Sequence, residues 1–260
     1  MKVETIRTVP LEGQKPGTSG LRKKTRVFMQ SNYLENFIQS TFDAIGGAGG
    51  KTFVVGGDGR FFNREAIQII IRMAAANGAA RLIVGQNGIL STPAASNLIR
   101  KYNTDGGIIL SASHNPAPYN GIKLFGADGR VIPADEGEKV IQAYRNYKFP
   151  AVPHDKIGQI SNVNDTTTSH LNAVLATVDA DAIRAKKYKV VLDSHHGAGS
   201  VLGRRLLESL NCESQFMGGT PDGLFTRSPE PTEVNLQETT KAAGSFGADA
   251  VFCQDPDAVR

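Results

Sequence analysis

The sequence predicts an α/β protein made of two consecutive lobes, each a mixed sheet between helices. Three observations carry that expectation. Short apolar runs such as TFVVGG (52–57), RLIVG (81–85), GGIIL (106–110) and KVVLD (189–193) have the length and composition of buried strands. Between them lie stretches with apolar residues at helical spacing, and strand alternating with helix is the pattern of sheets covered by helices. The length of 260 residues suits two ordinary domains at roughly 100–200 residues each.

From Tyr33 to Ile45, apolar residues fall at Leu34, Phe37, Ile38, Phe42 and Ile45, a helical face ended by Gly46-Gly47. After the strand TFVVGG, a helix starts near Asn63, read as its N-cap, with Ile67, Ile70, Ile71 and Ala74 inward and Asn77-Gly78 as the stop. RLIVG is the next strand. In STPAASNLIRKY, Ser91 or Thr92 caps a helix whose first turn holds Pro93. The strand GGIIL then delivers Ser111 and Ser113, and GIKLF (121–125) reads as a half-exposed strand. A turn at Ala127-Asp128-Gly129, a helix near Glu136 to Tyr147 and an irregular polar stretch from Pro150 to Thr168 follow.

A second unit opens at YKVVLDSHHGAGS (188–200). Strand Val190 to Leu192 feeds a glycine turn and a helix carrying Val201, Leu202, Leu206, Leu207 and Leu210, and Ala250 to Cys253 is a further strand. The boundary falls between Ala180 and Lys187, which divides the chain into 1–182 and 183–260.

Composition narrows the function. With 40% apolar and 21% charged residues, the chain has the profile of a globular protein with a real core. The net charge of +4 is mild, and the excess base gathers at Lys15, Arg22, Lys23, Lys24 and Arg26, which favours a phosphorylated small molecule over nucleic acid. No leader-like or membrane-spanning apolar run is present, so no membrane partner is expected. Cys212 and Cys253 stand apart without metal-ligand spacing, which points to the reducing cytoplasm. The oligomeric state is left open.

Several motifs invite chemistry. GGAGGKT (46–52) looks like a phosphate loop but precedes a strand instead of following one, and it is read as a helix-to-strand link. Ser113 and His114 could form a hydrolase dyad, yet no G-x-S-x-G elbow surrounds them; adjacent strand residues face opposite ways, so both would have to lie in the loop. The bland alternative is a strand-end loop shaped by Asn115 and Pro116. In KPGTSGLRKK (15–24), glycines flanking Thr18 and Ser19 can form an anion nest beside Arg22; a solvated basic arm is the alternative. Lys123 is either a surface lysine or a cation beside phosphate. Asp255 and Asp257, alternate residues after a strand, can converge on a hard cation such as Mg²⁺. His195 and His196 read as loop histidines.

KPGTSGLRKK, GGDGR (56–60), GQNGILSTPA (85–94), SASHNP (111–116) and DPDA (255–258), in this order, resemble the alpha-D-phosphohexomutases. The resemblance implies phosphoryl transfer between the 1 and 6 positions of a hexose phosphate, glucose phosphate foremost, through a phosphoserine and glucose 1,6-bisphosphate. It makes Ser113 the phosphoserine, with His114 and Lys123 as its catalytic neighbours. Thr18, Ser19, Arg22, Asn115 and Arg260 would bind substrate or phosphate, and Asp255, Asp257 and the Ser113 oxygen would bind Mg²⁺. It also implies the first two of four domains, with the chain stopping in the metal loop. The family loop has a third carboxylate where this sequence has Val259. Residues 1–116 look like the phosphoglucomutase branch, whereas 117–133 and 190–210 look like the phosphoglucosamine mutase branch. The alternative is a non-catalytic truncated or composite relative that binds sugar phosphate or a partner chain.

Overall fold

The structure, a computed structural model, describes residues 3–15, 20–144, 148–151 and 165–260. In chain order the first part contains β1 (Glu4–Arg7), β2 (Leu21–Lys24), the single turn α1 (Thr25–Phe28), α2 (Tyr33–Ala44), β3 (Thr52–Gly57), α3 (Asn63–Ala76), β4 (Arg81–Ile89), α4 (Thr92–Lys101), β5 (Gly106–Leu110), β6 (Tyr119–Phe125), α5 (Ala134–Ala143) and β7 (Lys148–Ala151). Then follow α6 (Thr168–Leu175), α7 (Ala180–Lys186), β8 (Lys189–Asp193), α8 (Gly199–Ser209), β9 (Glu213–Met217), α9 (Gln237–Phe246) and β10 (Ala250–Cys253).

The first lobe is a five-stranded sheet in the order β2-β6-β5-β3-β4. β3 runs parallel to β4 and β5, while β6 is antiparallel to β5 and β2, so the sheet is mixed as expected. Both faces are covered, and the two-residue period sorts side chains between them. Phe53, Val55, Ile108 and Leu110 join the cluster under α2 and α3, which includes Phe37, Phe42 and Ile70. Val54 and Ile109 point the other way, to Leu98 and Ile99 of α4. The second lobe is a parallel sheet in the order β10-β8-β9. Its apolar cluster is small: Val190, Leu192 and Leu207, with Cys212 and Phe216 against it. A fully buried side chain of this size contributes about 1.5–3 kcal/mol. The second lobe therefore gains much less from its own core than the first does. β1 and β7 form a separate antiparallel pair.

Several expectations need correction. Asn63 does not cap α3: Phe62 holds the N-cap position at φ +74°, and the Asn63 amide donates instead to Asp58 Oδ1 and the Leu110 carbonyl, both at 3.1 Å. Ser91 does cap α4, accepting from the Ala94 amide at 3.3 Å. β6 is not half-exposed, because the basic segment Leu21–Lys24 is itself a strand that pairs along its outer edge and buries it. The helix expected to reach Tyr147 ends at Ala143, and residues 145–147 lie outside the described residues. Most of the polar stretch, 152–164, also lies outside them. The span from Ala180 to Lys187, where the sequence puts the domain boundary, is occupied by α7, ended by Lys187 at φ +51°.

Candidate active site

The loop after β5 carries Ser113, and a buried ion pair holds that loop. β5 ends at Leu110, so Ser113 and His114 both lie in the loop, and Ser113 is left-handed at φ +51°. On the amide side, Ser113 N–H donates to Ser111 Oγ at 2.8 Å, and Ser111 Oγ donates to Asp58 Oδ2 at 2.7 Å. On the carbonyl side, the Arg60 guanidinium donates to the Ser113 and Asn115 carbonyls through Nη2, and to those of Pro116 and Tyr119 through Nη1 at 3.1 Å. Arg60 Nε closes the circuit on Asp58 Oδ2 at 3.0 Å. Both partners are buried, and burial pushes the Asp58 carboxyl up while Arg60 opposes that shift. Gly59 between them has φ +85°, and a Cβ there would lie 2.4 Å from the Pro221 carbonyl oxygen of the second lobe. Only glycine fits that crossing.

The second lobe brings its carboxylates to this loop. β10 ends at Cys253, and Asp255 lies two residues on. Ser113 Oγ donates to Asp255 Oδ2 at 2.6 Å, while Asp255 Oδ1 accepts from the amides of Val259 (2.9 Å) and Arg260 (3.2 Å). Asp257 Oδ2 pairs with Lys123 Nζ from β6 and accepts from Thr92 Oγ1 at 2.6 Å. The Asp257 carbonyl accepts from the Thr92 amide at 3.0 Å, which seats the aspartate loop on the N-terminus of α4. Burial and then the neighbouring Asp257 charge push the Asp255 carboxyl up. Burial opposes ionisation of Asp257 as well, but Lys123 overcomes it and holds the carboxyl below its usual range.

A second ring of charge lies at the rim. Glu230 accepts from Arg260 Nη1 at 2.6 Å and lies 3.3 Å from His114 Nε2. His114 therefore faces Glu230 in this arrangement, with no hydrogen bond to Ser113 Oγ. Burial, followed by the Arg260 charge, lowers the imidazole pKa, and Glu230 works against that. Arg22 on β2 donates to Asn115 Oδ1 at 3.0 Å. Of the residues singled out in the sequence, Ser113, Lys123, Asp255 and Asp257 meet at the seam, and Arg22, His114, Asn115 and Arg260 surround it. Thr18 and Ser19 lie outside the described residues. His195 is a buried loop residue stacked on Phe225, with centroids 4.8 Å apart.

Sequence reasoning placed none of Asp58, Arg60, Ser111, Thr92, Phe225 or Glu230 in the site, with Thr92 read only as a helix cap. One signal was available: GGDGR places two opposite charges directly after an apolar strand, where burial forces them to pair. The seam could hold anions and a hard cation. Lys123, Arg22 and Arg260 supply positive charge, and Asp255 with Asp257 supplies oxygen donors. Asp257 Oδ1 is buried with no hydrogen-bond partner among the described residues. No group of three or more His, Cys, Asp or Glu side chains that could hold a metal occurs among those residues. Two carboxylates and one hydroxyl oxygen still fit the way Mg²⁺ is bound through few protein ligands.

Comparison with known proteins agrees with this architecture. Family models described as phosphoglucomutase/phosphomannomutase alpha/beta/alpha domains I and II match residues 13–151 and 168–260. Phosphoglucomutase 1 of Drosophila melanogaster is 58% identical over 290 aligned positions, which cover 99% of this chain and 52% of that protein. Phosphoglucomutase of Rhizobium radiobacter is 48% identical over 74% of this chain and 39% of its own length. The chain spans about half the length of the curated relatives it matches. Among solved structures, the open form of pp63/parafusin from Paramecium superposes with a TM-score of 0.85 at 30% identity, covering 98% of this chain and 53% of that one. A Thermus thermophilus structure described as a putative phosphomannomutase gives 0.81 at 25% identity, covering 97% and 56%. Because these models extend across both lobes, including the strands that carry Ser113 and Asp255 to one seam, the chain belongs to the phosphoglucomutase/phosphomannomutase family, the alpha-D-phosphohexomutases.

Proposed function

We propose that the seam transfers a phosphoryl group to and from Ser113 during interconversion of hexose 1- and 6-phosphates, with glucose phosphate as substrate and glucose 1,6-bisphosphate as phosphoryl donor. The observation that carries this reading is the hydroxyl of Ser113, held by the Asp58–Arg60 circuit and presented to Asp255 at 2.6 Å within a ring of cations. Phosphoryl transfer depends mostly on positioning and charge stabilisation. The Oγ–P bond forms as the P–O bond to the sugar breaks, and the Oγ proton ends on the sugar oxygen. Asp255 receives the Ser113 hydrogen bond and holds that proton's direction. Lys123, Arg22 and Arg260 face the −1.5 to −2 charges, roughly, that a phosphoserine carries. Asp255, Asp257 and the Ser113 oxygen would hold Mg²⁺, which when bound offsets charge on the transferring group. His114 and Asn115 shape the loop, and the motif match adds Thr18 and Ser19 as candidate phosphate ligands.

The domains are read as 1–182 and 183–260. A cytoplasmic setting is supported by the free thiols Cys212 and Cys253 and by a Solanum tuberosum relative named as cytoplasmic. No helix among the described residues is long and apolar enough to cross a membrane. Val259, more than half exposed where the family has a carboxylate, favours a second reading: a sugar-phosphate-binding relative without turnover.

Incubation with glucose 1,6-bisphosphate, followed by intact mass and peptide mapping, tests the proposal. We expect phosphate on Ser113. Phosphate on Ser111 alone, or none where a full-length relative becomes labelled, would overturn it.

A further inference from the structure

Residues 221–230 of the second lobe form a strap across the seam, and their burial alternates. Pro221, Gly223, Phe225, Arg227 and Pro229 turn inward, whereas Asp222, Leu224, Thr226 and Ser228 are exposed. This is the two-residue period of extended chain, although no strand among the described residues pairs with it. The strap touches both lobes along its length. Pro221 and Gly223 cross the backbone of Gly59 and Arg60 so closely that a Cβ on Gly223 would lie 2.6 Å from the Gly59 carbonyl oxygen. Arg227 Nη2 donates to Asp193 Oδ2 at 2.7 Å, at the end of β8. Glu230, where the strap ends, reaches His114 and Arg260.

Phe225 occupies the centre. The Arg60 guanidinium carbon lies 4.9 Å from its ring centroid, and the His195 ring stacks 4.8 Å away. Arg60 belongs to the first lobe and His195 to the second, so one ring joins both. The guanidinium under Phe225 is the group that holds four carbonyls of the Ser113 loop. A ring over a desolvated guanidinium adds cation–π attraction and excludes water that would compete for those N–H donors.

We propose that Phe225 is a positioning residue for phosphoryl transfer: acting through Arg60, it locks the Ser113 loop in register with the Asp255 loop. The inference rests on reading Ser113 as the phosphoryl acceptor. It assigns the strap a role in alignment, in addition to any contribution to folding.

The test follows Ser113 phosphorylation of the whole chain with glucose 1,6-bisphosphate and Mg²⁺, by intact mass against time at several bisphosphate concentrations. Because misplacement by an ångström can cost two orders of magnitude in rate, Phe225→Ala should lower the limiting rate about tenfold or more, with the half-saturating concentration moved less than about threefold. Phe225→Tyr, which keeps the ring, and Leu224→Ala, on the exposed side, should behave as the parent. A folded Phe225→Ala chain labelled at the parent rate overturns the proposal. Hydrogen exchange at Ser113, His114 and Asn115 gives a readout independent of the chemistry. It should quicken in Phe225→Ala, or in Phe225→Leu if the alanine variant does not fold, while β3 stays protected; unchanged loop exchange also overturns the proposal. A parent chain that takes no phosphate defeats the phosphoserine reading alone, and exchange then decides the fate of the strap.

Discussion

Lys123 and Asp257 form a buried ion pair between the two lobes, and Thr92 Oγ1 donates to the same carboxylate oxygen. Strand β6 contributes the cation and the loop after β10 the anion. Burying two charges is costly unless they pair and their remaining polar atoms are satisfied. Replacing one partner should therefore do more harm than replacing both. We expect Lys123→Met to destabilise the chain by about 3–5 kcal/mol, and the double variant Lys123→Met/Asp257→Leu to recover part of that. Urea midpoints of the three proteins measure the difference; a single variant as stable as the parent would show that the pair is solvated.

Ser111 links the loop amide to the ion pair beneath it. Ser111→Ala leaves Ser113 N–H without its acceptor and removes a donor to Asp58. The expected loss is about 1–3 kcal/mol, read from urea unfolding. Since the loop is also held by Arg60, circular dichroism should be unchanged. An Ala variant with parental stability would mean that water replaces the hydroxyl.

The His195 imidazole is pushed down to about 4, first by burial and then by the Arg227 charge. Its folded pKa lies below the ordinary value near 6.5, so the unfolded chain binds the proton more readily. The stability from the neutral ring is complete above pH 6.5, roughly, and falls away as the pH drops towards 4, a loss of up to about 3 kcal/mol. His195→Asn, chosen because asparagine tolerates φ +48°, should flatten the stability profile over that window. An equal slope in both proteins would place the titrating group elsewhere.

Val259→Asp adds a third carboxylate to the loop that carries Asp255 and Asp257. With the Ser113 phosphate present, we expect Mg²⁺ to bind the variant about tenfold more tightly, since added ligand charge strengthens a hard-cation site. Isothermal titration of phosphorylated parent and variant would measure it. Unchanged affinity would mean that the side chain at 259 points away from the cation.

The fold was legible where burial leaves a periodic trace. β3, β5 and α2 to α4 are written in apolar spacing because each lies against the first lobe's core. β2 was not legible, since an edge strand reading LRKK has one buried residue and resembles a basic arm. β9 and α9 escaped for the same reason: the small second core leaves them few fully buried positions. At the site, Ser113, Lys123, Asp255 and Asp257 were recognisable as motif residues. Their partners were harder to see, because Thr92 and Glu230 are ordinary polar residues until the chain folds them against charges distant in sequence.

That separation has a consequence for synthesis. Lys123 and Asp257 are 134 residues apart, and Thr92 and Asp257 are 165 apart. At about 5–20 residues per second, the first gap lasts roughly 7–27 seconds on the ribosome. Throughout that interval the first lobe can fold around its own sheet, but its lysine has no counter-charge and the N-terminus of α4 has no aspartate loop to receive. The nascent first lobe is thus a species with an open, positively charged notch. Arrival of the loop that carries Asp257 neutralises it, so a ribosome stalled before codon 255 would display a positively charged surface that the Lys123–Asp257 pair covers once both lobes have folded.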